Sequence, residues 1–366
     1  MSSSLKLVWN KRQKTTRYAY VFSAFKNSQY LLAALAAAWS LRRTKTREDI
    51  VLLVTDISEE MIEFGKYAFD RIYSVPYLNL FCKPLRTEKQ RKRYESWMDV
   101  SCTKWNCLNL VEYEKIIYLD ADTLILRNID NLFQLSAPAG TFSSPQAKGY
   151  SSKGGMHNPY LSLREGDLVK PEMIEEGLSG KNGSSFTVIG TSVVLCPNEK
   201  RYSELLNMLA NYSKSDPFGY SSCNSGIDEQ VLAHFYSRFL PQETQQNFPW
   251  TYVSQKSGWI PWHPEWLRED EWPPSVIHYC GQKFWEMKRE DWLDLEPLWI
   301  TIQSLINHVP KNEREKLAGL YKLTEQMNIP GCFYCKSIKH KNWTSHEFMT
   351  ESEIICPKYQ EQSKNL

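Results

Sequence analysis

Two short apolar runs, each followed by a helix-forming stretch, constrain this chain more than any other feature. Residues 18–23 (Tyr-Ala-Tyr-Val-Phe-Ser) are β-prone, and residues 30–43 behind them are rich in Ala and Leu, with Asn27 or Ser28 able to cap the helix. Residues 50–55 (Ile-Val-Leu-Leu-Val-Thr) repeat the signal without polar alternation, as a strand covered on both faces must, and residues 56–69 come next as a second helix. Strand and helix in that alternation imply a parallel sheet with crossover helices. A third strand of this kind is expected over residues 115–119, preceded by a helix over 101–112. The fold class expected is α/β: a single Rossmann-like domain with a mostly parallel central sheet flanked by helices.

Residues 136–185 are rich in Gly, Ser and Pro and poor in periodic apolar positions, so they read as an irregular insertion. Excursions of that length usually have a function. Regular structure resumes over 186–196, with helices expected over 199–212 and 228–236 and a last strand over 275–279. Amphipathic stretches at 298–308 and 313–327 lead into a polar end. These bounds give a flexible N-terminus over 1–16, one domain over 17–309 and a helical C-terminal extension over 310–366.

Composition excludes several classes. Forty-four basic against 42 acidic residues leave a net charge of +2, which gives the molecule as a whole no surface for nucleic acid or membrane. The basic run 89–93 reads as a solvated helix face. The first 14 residues hold no apolar core of signal-peptide length, and 31–41 is too short and too Ala-rich to span a bilayer, so a cytoplasmic protein is expected. Nine cysteines, three of them (Cys332, Cys335, Cys356) in the tail, do not look like a secreted disulfide framework. The sequons at Asn182, Asn211 and Asn342 are accordingly read as chance.

Asp120-Ala121-Asp122 is the first candidate for chemistry. Thirteen aspartates in 366 residues give about 0.4 such pairs by chance, so position must carry the argument. Asp120 closes the apolar run Ile116-Ile117-Tyr118-Leu119, and ligands of open parallel sheets bind at the carboxyl ends of their strands. On extended chain, residues i and i+2 point to one side, where two carboxylates can share a hard divalent cation that neutralises a diphosphate leaving group. The structural alternative is a solvated strand end, or a helix N-cap for residues 123–133.

The fifteen positions 119–133 (Leu-Asp-Ala-Asp-Thr-Leu-Ile-Leu-Arg-Asn-Ile-Asp-Asn-Leu-Phe) resemble the signature of glycogenin-like retaining glycosyltransferases, family eight of that sequence classification (GT8). The resemblance runs from about Tyr18 to Trp285. It implies a GT-A type nucleotide-sugar-binding domain with a UDP-sugar as donor, in which Asn27 and Tyr30 touch the nucleoside. It carries the family's functional lysine onto Lys104, in Thr103-Lys104-Trp105, and its sugar-facing aspartate onto Asp228, in Gly226-Ile227-Asp228-Glu229-Gln230. His278-Tyr279-Cys280-Gly281-Gln282-Lys283-Phe284-Trp285 resembles the family's final segment, with His278 a third metal ligand, Gly281 at the phosphates and Lys283 on the β-phosphate. Two carboxylates and an imidazole suit Mn²⁺ over Mg²⁺ as the ion on Asp120, Asp122 and His278. A histidine or lysine alone would more often be structural or solvated; four motifs in order outweigh that reading.

The match departs at three places. Gly190-Thr191-Ser192 stands where the family carries Asn-(Ser/Ala)-Gly, Phe284 replaces a proline, and residues 253–278 hold no tyrosine for self-glucosylation, Tyr252 being the nearest. Residues 138–145 resemble a feature of baculovirus and protist glycogenin-like proteins. Seven of the 13 tryptophans lie between Trp250 and Trp292, where packing accounts for most; Trp259 and Trp262 are the candidates for sugar stacking. In the tail, Cys332, Cys335, His346 and Cys356, with His340 as an alternative, have spacing for one structural Zn²⁺ and resemble a single Nanos-like zinc knuckle over 332–356.

The function this reading implies is Mn²⁺-dependent transfer of a hexose from a UDP-sugar to a saccharide, polyol or protein acceptor. No membrane or nucleic-acid partner is expected, and a homodimer is allowed. The competing class is a binding protein with a retired transferase fold that presents its zinc knuckle to RNA or protein.

Overall fold

The computed structural model describes residues 5–11, 13, 15–26, 28–80, 88, 91–92, 95–142, 163–174, 188–212, 227–247, 249–254, 260–261, 275–279 and 295–313. The strands are β1 (Lys6–Asn10), β2 (Tyr18–Phe25), β3 (Asp49–Thr55), β4 (Arg71–Ser74), β5 (Lys115–Tyr118), β6 (Thr123–Ile125), β7 (Ala139–Gly140), β8 (Val193–Leu195), β9 (Thr251–Tyr252), β10 (Ile260–Pro261) and β11 (Val276–His278). The α-helices are α1 (Ser28–Arg43), α2 (Glu59–Gly65), α3 (Glu199–Tyr212), α4 (Ile227–His234), α5 (Gln242–Asn247) and α6 (Leu295–His308). A 3₁₀ helix, Met98–Asn109, runs ahead of β5.

Eight strands form one sheet in the order β1-β4-β3-β2-β5-β8-β7-β9. Its centre, β4-β3-β2-β5, is parallel, and β1 and β8 flank that centre antiparallel. This is the α/β architecture that the alternating runs imply. All seven residues of β3 are buried, because helices cover both faces. Tyr20, Phe22, Ile50, Leu52 and Val54 share one core with α1 and α6, whereas Ala19, Val21, Val51 and Leu53 share the other with Trp105, Leu108 and Leu205. The period of two along each strand thus sorts the apolar residues between two cores.

Several elements differ from the sequence reading. Lys6–Asn10 is a paired edge strand, not a flexible N-terminus, and its partner β4 is only Arg-Ile-Tyr-Ser, too short and too polar at its ends to register as an apolar run. The second helix is confined to Glu59–Gly65, where the Ser58 side chain accepts from the Met61 N–H as its N-cap. Residues 123–125, offered as the start of a helix, form β6 instead. α4 ends at His234 and a π-helical turn, Phe235–Phe239, continues it. α6 docks on α1, with Trp39 Nε1 donating to Ser304 Oγ at 3.1 Å and its ring 4.5 Å from that of His308. Among the described residues no helix is long and apolar enough to cross a membrane.

The small sheet positions the site. It runs β10-β11-β6, with β6 antiparallel to β11. The chain leaves the large sheet at the end of β5, turns through residues 119–122 and enters the small sheet as β6.

At the opposite end of the parallel strands a buried carboxylate fixes their register. Asp49 Oδ2 accepts from Tyr113 OH at 2.9 Å, from Arg71 Nε at 3.3 Å and from the Thr16 N–H at 3.4 Å. Asp49→Ala removes a buried acceptor shared by Tyr113, Arg71 and Thr16 and is expected to lower unfolding free energy by about 3–5 kcal/mol in chemical denaturation. Arg17→Ala, which removes the exposed pair with Glu114, is the control and leaves the midpoint unchanged.

Candidate active site

β5 lies beside β2 at the centre of the parallel array, so the residues just beyond it sit at the carboxyl edge where such sheets bind ligands. Leu119 makes the last large-sheet hydrogen bond, its N–H donating to the Val21 carbonyl at 2.9 Å. Asp120, Ala121 and Asp122 then turn, and β6 pairs with β11 so that Thr123 lies opposite His278. The Tyr279 N–H donates to the Asp122 carbonyl at 2.9 Å, fixing that turn against β11. The two aspartates therefore converge through a turn between two sheets, and not through the period of an extended strand. Strand periodicity points to these two aspartates, but a different geometry brings them together.

One ligand atom from each of Asp120, Asp122 and His278 lies within 4.8 Å of the other two. His278 Nε2 is 3.3 Å from Asp122 Oδ1 and 3.8 Å from Asp120 Oδ2. Donors on one small divalent cation, each at about 2.1 Å, stand roughly 3–3.5 Å apart, so small side-chain adjustments close this set on a metal. Oxygen donors with one imidazole nitrogen fit a borderline-hard divalent ion.

Around Asp120 the protein supplies its own donors. Lys104 Nζ donates to Asp120 Oδ1 at 2.9 Å and is 2.6 Å from Asp228 Oδ2, bridging the metal set to the first turn of α4. Burial alone would depress the Lys104 ammonium, but the charges of Asp120 and Asp228 outweigh it and hold it well above its ordinary value. Its Nζ also lies 5.3 Å from the ring centroids of both Trp105 and Tyr118. Trp105 Nε1 donates to the Asp228 carbonyl at 3.0 Å, which ties α4 to the 3₁₀ helix that carries Lys104.

The loop before β8 closes the cluster. Thr191 Oγ1 donates to Asp120 Oδ2 at 2.5 Å and accepts from the Asp120 N–H at 3.2 Å, a reciprocal pair that fixes the carboxylate plane. The next residue, Ser192, is held at φ 57°, a conformation that non-glycine residues adopt only when their surroundings impose it. Gly190 donates its N–H to Glu229 Oε1 at 2.8 Å. A Cβ at this position would meet Glu229 Cγ at 2.9 Å, Lys104 Nζ at 3.1 Å and Asp228 Oδ2 at 3.3 Å, so only glycine leaves these groups where they are. Burial, then the charge of Asp228, pushes the Glu229 carboxyl up to about 8.

Of the residues singled out from sequence, Asp120, Ala121, Asp122, His278, Lys104 and Asp228 come together. Tyr30 lies in the first turn of α1, at the same carboxyl end of the sheet. Asn27, Gly281 and Lys283 lie outside the described residues, as do Trp259, Trp262 and the tail ligands Cys332, Cys335, His340, His346 and Cys356. Tyr252 is buried within β9. Thr191 and Glu229 escape the sequence reading. The first is marked there only as part of a departure from the family's pattern, and the second stands beside Asp228 with no signal that its side chain turns back to Gly190.

No protein-family model matches the chain. Among curated proteins it is 34% identical over 185 residues to "Uncharacterized protein R707" of Acanthamoeba polyphaga mimivirus, covering 50% of this chain and 56% of that one. It is 33% identical over 108 residues to Glycogenin-1 of Homo sapiens, covering 29% and 30%. It is 32% identical over 126 residues to UDP-glucuronate:xylan alpha-glucuronosyltransferase 1 of Arabidopsis thaliana, covering 34% and 18%. The matched stretch spans little more than half the length of the first of these relatives, and less of the others. Among solved structures, the galactosyltransferase LgtC in complex with donor and acceptor sugar analogs aligns with TM-score 0.47 at 18% identity, covering 81% of this chain and 99% of that one. The glycosyltransferase GlyE of Streptococcus pneumoniae TIGR4 aligns with TM-score 0.41 at 15% identity, covering 73% and 56%.

Thr191→Val keeps the volume and removes the hydroxyl that orients Asp120. It is expected to weaken Mn²⁺ binding about 10–100-fold by isothermal titration calorimetry, and unchanged affinity would remove Thr191 from the site. Glu229 gives a pH signature. Its proton is held to about pH 8 in the folded protein and lost near pH 4.5 in the unfolded chain, so the folded state binds more protons across that window. Stability of the metal-free protein should therefore fall as pH rises from about 5 to 8, relative to Glu229→Gln. Parallel melting profiles of the two proteins would contradict this.

Proposed function

We propose that this chain is a metal-dependent glycosyltransferase that moves a hexosyl group from a UDP-sugar, with retention of configuration, to a saccharide, polyol or protein acceptor. One observation carries the reading: Asp120, Asp122 and His278 converge at the carboxyl end of a central parallel strand and are linked through Lys104 to Asp228. The named relatives, glycogenins and glucuronosyltransferases, are consistent with it.

In this reading Asp120, Asp122 and His278 hold Mn²⁺ or Mg²⁺. Bound there, the ion supplies charge that neutralises a diphosphate and stabilises it as it leaves. Asn27 and Tyr30 hold the nucleoside, while Gly281 and Lys283 approach the phosphates. Lys104 keeps the Asp120 and Asp228 carboxylates in register, so that the diphosphate side and the sugar side of the site stay aligned. Asp228 faces the anomeric carbon. As the bond from that carbon to the phosphate oxygen breaks, its electron pair leaves with the diphosphate, and the fixed negative charge of Asp228 stabilises the cation-like sugar. The acceptor oxygen then bonds to the same face and its proton passes to the departing phosphate. Four zinc ligands in the tail, Cys332, Cys335, His346 and Cys356, would add a structural staple beyond this domain.

Hydrolysis of a panel of UDP-sugars with Mn²⁺ and with EDTA tests the reading. Turnover should require the metal, and Lys104→Met should lower kcat about 10²–10³-fold. Asp122→Asn should abolish both metal binding and turnover. If no UDP-sugar is turned over in the presence of Mn²⁺, the reading fails.

A further inference from the structure

β1 is the last strand of the large sheet, and among the described residues it pairs only with β4. An outer strand leaves a row of backbone N–H and C=O groups open to another chain segment. Its apolar side chains are also uncovered, for Leu7 is 45% exposed and Val8 39%. Trp9 Nε1, on the same strand, is buried without an acceptor among the described residues. The register shift between Leu7 and Trp9 bends this edge, which works against indiscriminate pairing with other copies.

Charge narrows what can sit there. Residues 1–17 carry five cations, Lys6, Lys11, Arg12, Lys14 and Arg17, and no acid. A second copy brought edge to edge would set those cations against their own kind. The segment 347–355 (Glu-Phe-Met-Thr-Glu-Ser-Glu-Ile-Ile), outside the described residues, carries three acids and no base. On extended chain Glu347, Glu351 and Glu353 fall on one side and Phe348 and Ile354 on the other, and Pro357 ends the run. The segment lies between His346 and Cys356, so pairing uses neither of those zinc ligands.

The fold delivers the end of the described chain to this edge. α6 packs on α1, and just beyond it Tyr67 OH donates to Glu313 Oε2, on the last residue described. Lys66, next to Tyr67, holds its Nζ 4.9 Å from the centroid of the Trp9 ring in β1. The described chain therefore ends beside the open strand. Residues 314–346 can span roughly 100 Å when extended, so they reach β1 with ample slack. A segment tethered in this way stands at an effective concentration on the order of millimolar, against which a free second copy competes poorly.

We propose that residues 347–355 add as an outer strand to β1 of the same molecule, closing that edge of the large sheet with the acidic part of the C-terminal extension. Backbone hydrogen bonds hold such a strand, and the glutamates bring carboxylate acceptors to an edge rich in cations. The proposal is independent of the transferase reading.

Hydrogen exchange of the full chain tests it, with Ile354→Pro and the double variant Glu351→Lys/Glu353→Lys beside the unmodified protein. Proline at 354 removes an amide and stops a ladder, and the lysines turn attraction into repulsion. In the unmodified chain the outward amides of residues 6–10 should exchange about 10-fold or more slowly than in either variant. The amides of β2 and β3 should be equally protected in all three, which shows that the domain stays folded. Protection of β1 should not change over a roughly 50-fold range of protein concentration. Either variant keeping the unmodified rates overturns the proposal. Protection that rises with concentration overturns it as well, because a second copy then covers the edge.

Discussion

The site depends on one buried ammonium shared between two carboxylates. Lys104 is nearly inaccessible, and an isolated charge at that depth would cost several kcal/mol to desolvate. Asp120 and Asp228 offset that cost, and in doing so they fasten together three parts of the chain that are far apart in sequence: the 3₁₀ helix, the end of β5 and the first turn of α4. Trp105, the neighbour of Lys104, bonds the backbone of Asp228, so the same helix holds α4 by main chain and by side chain. Remove the ammonium and two carboxylates face each other at close range, while Trp105 still ties α4 to the 3₁₀ helix by main chain and Thr191 still holds Asp120.

Charge explains why this cluster is poised for a cation. Asp120, Asp122, Asp228 and Glu229 bring four carboxyl groups to one place, and the single ammonium of Lys104 is divided between two of them. A divalent ion on Asp120, Asp122 and His278 would balance most of the excess. Without the ion, the raised affinity of Glu229 for its proton removes one charge instead. The protein keeps the acids together by its fold, since β5 pairs with β8 at the carboxyl edge and Trp105 ties the first turn of α4 to the 3₁₀ helix whatever the charges prefer.

Particular residues show how much of this arrangement is legible in the sequence. β2, β3 and α1 are, because continuous apolar runs and an Ala-rich helix report burial directly, and α3 has the bounds expected of it. β1 and β4 are not, because an exposed edge strand and a four-residue strand with polar ends carry no local signature; their pairing is a tertiary fact. Asp120, Asp122 and His278 are found through motif order, yet the geometry that unites them, a turn between two sheets, comes from β6 joining β11, which no local pattern specifies. Thr191 and Glu229 escape for a related reason. Both act through partners distant in sequence, Thr191 on a carboxylate 71 residues away and Glu229 on a backbone amide 39 residues away.

The loop before β8 shows how adjacent residues can act on different neighbours. Thr191 turns to Asp120 in the metal-ligand set, while Gly190, one residue earlier, lies against Glu229 and Asp228. A side chain at 190 would displace Glu229, Lys104 or Asp228, whereas a change at 191 frees the Asp120 carboxylate and leaves the Gly190–Glu229 contact in place. Lys104 is the support common to the two sets, because its ammonium lies between Asp120 and Asp228.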